Sequence, residues 1–228
     1  MRAPQRQHGY TLVEIAIVLV IAGLLLGGVL RGQEMATQAR IRDMINDMNG
    51  LGAAYHFYYD RYKALPGDDP RAAARWGAAL GAKSGGGDGV VSGRYMEPAP
   101  IDPTLGAFTV DNSQNESLAF WWHLRMGGFV FGPSTGVGAA TQPSNSVGGL
   151  VGVQTGGLNF SSLIVCESNV RDKIAGAVDT QMDDQRPHTG LVRAYQQAVP
   201  NEDITGKTPS GTSYPESGAG RYVICKTL

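Results

Sequence analysis

A single carboxylate, Glu14, sits inside an apolar run from Tyr10 to Leu30, and its chemistry most needs explaining. The run has 21 residues. As a helix it spans about 30 Å, the thickness of a bilayer's hydrocarbon core. An acid there costs about 2.5 kcal/mol or more, so it either snorkels to water or meets a partner of opposite charge. The other reactive side chains do not form an obvious constellation. Catalysis needs a nucleophile, a base and an orienting group, but His8, His56, His123 and His188 lie in unrelated contexts. No His-Glu-x-x-His zinc helix occurs. We expect no enzyme and no cofactor. Asp68, Asp69, Asp88, Asp183 and Asp184 offer oxygens for calcium, yet Gly87-Asp88-Gly89 lacks the alternating carboxylates of a strong calcium loop. Asp beside Gly and Pro is first of all turn chemistry, and no metal is expected.

Cys166 and Cys225 each end an apolar, strand-like segment. In an exported domain they are expected to pair, and closing so long a loop stabilises by about 4 kcal/mol on the chain-entropy model. The alternative is two buried thiols. The 228 residues carry a formal charge of −1, so no surface built for generic phosphate binding, and no nucleic-acid partner, is expected.

Met1 to Gly9 is short, polar and basic, with Arg2, Arg6 and His8, and it ends in Gly directly before Tyr10-Thr11-Leu12-Val13-Glu14. This resembles the start of type IV prepilins and type II secretion pseudopilins. The resemblance implies cleavage after Gly9 by a prepilin peptidase, N-methylation of the new terminus at Tyr10, and a Glu14 that pairs with the terminal amine of a neighbouring subunit. It also implies other pilin or pseudopilin subunits and an inner-membrane assembly platform as partners. Loss of the leader would remove Arg2 and Arg6 and take the formal charge from −1 to −3. Many pilins also carry a disulfide loop near the C-terminus. The competing reading is a secretory signal peptide removed after Leu26-Gly27-Gly28.

Arg2 and Arg6 before the span place that end in the cytoplasm by the positive-inside tendency, with the polar remainder in the periplasm and then in a filament; Arg31 after the span weakens the asymmetry. Gly23 and Gly27 make a G-x-x-x-G pair, for which chance is explanation enough.

The elements that must position these residues begin with the helix itself. Ile41, Met44, Ile45, Met48, Leu51, Tyr55, Tyr58, Tyr59 and Tyr62 recur at three- and four-residue steps, so one helix is expected from Tyr10 to about Ala64, stopped by Pro66-Gly67. The organisation is therefore a leader over 1–9, a long helix over 10–64 that crosses the membrane over 10–30, and a head over 65–228. A sheet suits this stripe better than a coiled coil does. Ser113 to Glu116 reads as a capping box for a short helix through Trp121, Trp122 and Arg125. Phe129 to Phe131 suits a strand, and Gly132 to Gly157 a mobile loop. Strands are expected over Phe160 to Val165, Leu191 to Tyr195 and Tyr222 to Leu228, with a helix over Val170 to Met182. The fold class is α+β, a long N-terminal helix packed on a small antiparallel sheet, and it is pilin-like.

Three details qualify the resemblance. Arg31 stands where many major pilins have a helix-kinking Pro, which leans toward a minor subunit. Asp183-Asp184-Gln185-Arg186-Pro187 resembles a D-D-G-x-P turn of longer pilin-like proteins, with Gln185 in place of the usual Gly, ahead of Val192-Arg193-Ala194. An exposed Trp121-Trp122 pair would favour a filament-tip binding module, and a buried pair would favour packing.

Overall fold

The computed structural model describes residues 10–77, 83–98 and 115–228. One helix, α1 (Leu12–Tyr62), runs through 51 residues. By its contacts the chain divides into a unit ending at Ala39 and a unit of Arg40–Leu228.

In the first unit α1 is a helix without a core. Leu12, Leu24 and Leu30 are 87%, 73% and 67% exposed, and a Cβ added at Gly23 or Gly27 would meet nothing within 4 Å. Its exposed ion pair, Arg31 with Glu34 at 3.4 Å, follows the apolar stretch. The stretch is long and apolar enough to cross a membrane.

In the second unit the same helix changes its code. Ile41, Met44, Met48, Leu51, Ala54 and Tyr58 are buried, at steps of three and four that place them on one side. The helix ends as Lys63 enters the left-handed region at φ 53°, its N–H bonded to Tyr59 O at 2.7 Å. Then come α2 (Ala72–Trp76) and α3 (Glu116–Met126). A 3-10 turn, Val137–Ala139, precedes β1 (Val151–Gly157) and β2 (Phe160–Arg171). The chain closes with α4 (Asp172–Met182), β3 (Val192–Gln196) and β4 (Arg221–Thr227).

The four strands form one antiparallel sheet in the order β1-β2-β4-β3. Leu158 and Asn159 join β1 to β2 with φ of 48° and 62°, the two left-handed residues of a tight hairpin turn. Strand alternation sorts the side chains onto two faces. Val153, Leu163, Val165, Tyr222 and Ile224 join the core with α1, α3 and α4. Ile164, Cys166, Val223 and Cys225 form a second core with Tyr95, Leu158 and Ile204 from the loops. Each such side chain contributes about 1.5 to 3 kcal/mol by leaving water. The α+β architecture is the one expected, a long helix packed through its second half on a small antiparallel sheet.

Several local expectations are corrected. Phe129 and Val130 form a bend, Phe131 is irregular and no strand forms, because the N–H of Phe129 turns back to Leu124 O at 2.9 Å and closes α3. The segment Gly132 to Gly157 is not a loop throughout, since its last seven residues are β1. Val170 and Arg171 belong to β2, past an irregularity after Glu167, and α4 starts only at Asp172. Ser113, of the expected capping box, lies outside the described residues. Glu116, which opens α3, accepts the N–H groups of Gly86 at 2.6 Å and Ser92 at 2.9 Å.

Candidate functional site

Glu14 is the third residue of α1, and Thr11 is the residue just before the helix. Thr11 Oγ1 accepts the N–H of Glu14 at 3.2 Å, while Glu14 Oε2 accepts the N–H of Thr11 at 2.9 Å and its hydroxyl at 2.9 Å. This reciprocal pair is a capping box, and it satisfies helix-start donors that would otherwise lack partners. Sequence reasoning overlooked Thr11, although Thr-x-x-Glu before an apolar run is the spacing that signals such a cap. Of the other residues singled out here, Tyr10 is 83% exposed, and Gly9 and His8 lie outside the described residues. The negative end of Glu14 therefore sits at the positive end of its helix dipole, four residues from Tyr10.

In the head, Cys166 and Cys225 face each other across β2 and β4 and form a disulfide. Trp121 and Trp122 are buried, at 1% and 2% exposure, which is the arrangement of packing and not of a displayed aromatic pair. His123 is buried too. Its Nδ1 accepts the N–H of Gly67 at 2.9 Å, so the ring proton is on Nε2, which donates to Lys83 O at 2.7 Å. Burial pushes its pKa down to about 4. The imidazole is a neutral strut between α3 and the loop after α1. Beside it, Asp69 accepts the Tyr58 hydroxyl at 2.7 Å and the Arg75 guanidinium at 2.5 Å. Burial alone would raise the Asp69 carboxyl, but these donors hold it below the usual range.

The remaining acids take backbone donors. Asp68 accepts from the N–H groups of Gly87, Asp88 and Gly89. Asp183 accepts from Leu191 and Val192, and Asp184 from Arg186 and the Thr189 hydroxyl. Asp68, Asp88 and Glu116, and separately Asp179, Asp183 and Asp184, bring carboxylate oxygens within 4.8 Å of one another. Asp88 and Asp184 accept from Val90 and Arg186, two residues on, as in turns, whereas Asp68 and Glu116 tie distant loop segments together and Asp179 accepts the Tyr214 hydroxyl at 2.7 Å. Gln185 has φ 65°, the left-handed conformation that glycine adopts most readily, which explains why a Gly is usual at this point of the motif.

Gly132-Pro133-Ser134-Thr135-Gly136 has the spacing of a hydrolase nucleophile turn, a match that sequence reasoning passed over. That motif needs a strand before it and a helix after it. Here bends precede it and only a 3-10 turn follows, and the carbonyl of Ser134 accepts the indole N–H of Trp122 at 3.0 Å.

Residues 4–30 match the family model described as the prokaryotic N-terminal methylation motif. No curated protein and no solved structure matches the chain. The matched segment supports a type IV pilin-like family and, with it, a structural and non-enzymatic role.

Proposed function

We propose that this chain is a subunit of a type IV pilus or type II secretion pseudopilus, and a minor one. The match over residues 4–30 carries the reading, and the long helix leading from it into an α+β head supports it. A prepilin peptidase cuts after Gly9 and the new Tyr10 amine is methylated. The apolar helix over 10–30 holds the subunit in the inner membrane, N-terminus in the cytoplasm and head in the periplasm, until it enters a filament. There Glu14 accepts the amine of a neighbouring subunit, because two opposite charges withdrawn from water compensate each other and neither is stable there alone. The Thr11 cap is consistent with this role, since it uses only Oε2 and leaves Oε1 for the incoming amine.

Mass spectrometry of the N-terminus tests the reading. A chain beginning at methylated Tyr10 supports it, and one beginning near Val29 identifies a signal peptide instead. Changing Gly9 should leave an uncleaved precursor. Glu14→Ala should be processed normally yet fail to enter filaments, and normal assembly of that variant would refute the charge pairing.

A further inference from the structure

A partly open cavity of about 370 Å³ lies in the head, between α1, α3 and the loops that follow them. Its walls include the aromatic rings of Trp121, Phe129 and Phe131, with Val151 of β1 and Asp47 of α1. Phe131 is wholly exposed, so this aromatic wall continues onto the surface.

Two buried side chains lack partners, Trp121 in the cavity wall and Glu167 behind it, and Asp47 adds an exposed carboxylate to the lining. The Trp121 indole N–H, on a side chain only 1% exposed, has no acceptor. Glu167, directly opposite Val151 in the β1–β2 ladder, is fully buried, and neither of its oxygens has a hydrogen bond of normal geometry. The Asn145 side chain is close enough to ease its ionisation in part, but its Nδ2 donates to Ser168 O at 2.9 Å. Asp47 is near enough to repel the Glu167 charge, and no described cation pairs with either acid. An unmet donor, one unmet buried acid, the exposed Asp47 carboxylate and aromatic residues form a complementary set. Aromatic rings attract cations, Asp47 offers a counter-charge, a cation drawn in would favour ionisation of Glu167, and the indole needs an acceptor that a bare cation lacks.

We propose that this cavity receives a basic side chain of a partner polypeptide, whose charged head lies toward Asp47 and Glu167 and whose backbone carbonyl accepts the Trp121 indole N–H. The apolar walls suit the aliphatic stem of such a residue, which acts as a buried anchor.

Titration of the 15N-labelled full chain in detergent tests this through the Trp121 indole resonance, identified by its loss in Trp121→Phe. Lysine blocked as N-acetyl and C-terminal amide should shift that resonance saturably. The equally blocked norleucine should not, and butylammonium, which has no carbonyl, should bind at least tenfold more weakly. Asp47→Asn and Glu167→Gln should each weaken lysine binding at least tenfold while the Trp76 and Trp122 resonances stay in place. Should Glu167→Gln not fold, the exposed Asp47→Asn decides alone. Equal binding of norleucine, or unchanged affinity in the variants, overturns the cation site. Equal binding of butylammonium overturns the polypeptide occupant and leaves a site for free amines.

Discussion

Two stretches of one helix obey opposite rules. Between Leu12 and Leu30 the large apolar side chains are exposed all round, and the one acid is satisfied by a residue three positions away. From Ile41 to Tyr58 one apolar side of the helix is buried, through Ile41, Met44, Met48, Leu51, Ala54 and Tyr58, while mostly polar residues, with Phe57, face outward. The difference shows what each stretch needs from its surroundings. The first stretch must find its apolar environment outside the folded chain, in lipid or among other helices. The second finds it in its own sheet. Backbone hydrogen bonding is continuous across both, so helix formation alone does not distinguish them.

The largest effect expected from breaking this contrast lies deep in the head. Cys166→Ser with Cys225→Ser should lower its unfolding free energy by about 4 kcal/mol on the chain-entropy model. Urea unfolding of the full chain in detergent, followed by tryptophan fluorescence, would measure it. Next, Met48→Ala should cost about 2 to 5 kcal/mol in the same measurement, because it leaves a cavity among packed side chains. Leu24→Ala should leave the head transition unchanged, and an equal loss from both would erase the distinction.

Acid–base behaviour gives a smaller effect with a definite sign. Burial pushes the Glu167 carboxyl up to about 8 from an ordinary 4.5, and it pushes His123 down to about 4 from 6.5. The raised acid contributes stability that is complete below pH 4.5 and is lost as pH rises through about 8. The depressed histidine contributes stability that is complete above pH 6.5 and is lost as pH falls through about 4. Between pH 4.5 and 6.5 the two slopes oppose each other, and from pH 6.5 to 8 Glu167 acts by itself. Stability should therefore fall by about 2 kcal/mol over that upper window, and Glu167→Gln should flatten the profile there. Unfolding midpoints at a series of pH values decide it. The smallest effect belongs to the turn: Gln185→Gly should raise stability by up to about 1 kcal/mol, by relieving the left-handed conformation at φ 65°.

The spine and the last two strands were legible because their periods are unambiguous, three and four for Met44 and Met48, two for Val223 and Cys225. Strand β1 was not, since Val-Gly-Val-Gln-Thr-Gly-Gly reads as loop composition. Its glycine answers a packing demand that no local pattern reveals: a Cβ at Gly152 would lie 1.8 Å from Tyr95 O, so only glycine lets the two backbones approach. The Phe129 to Phe131 run failed in the opposite sense, having strand composition but no strand to pair with. At the helix start the apolar run and Glu14 were plain, whereas the Thr11 cap needed the reciprocal hydrogen bonds to be seen. The cavity was out of reach, because Asp47, Trp121 and Val151, which line it, come from three separate elements and share no spacing.

The disulfide has a mechanical consequence. It joins β2 and β4, the two inner strands of the sheet, and leaves β1 and β3 as its edges. A load that reaches the sheet can peel away either edge by rupturing hydrogen bonds, but parting the two strands in the middle requires scission of a covalent bond. The head is thus built to shed its margins under tension and to keep its centre.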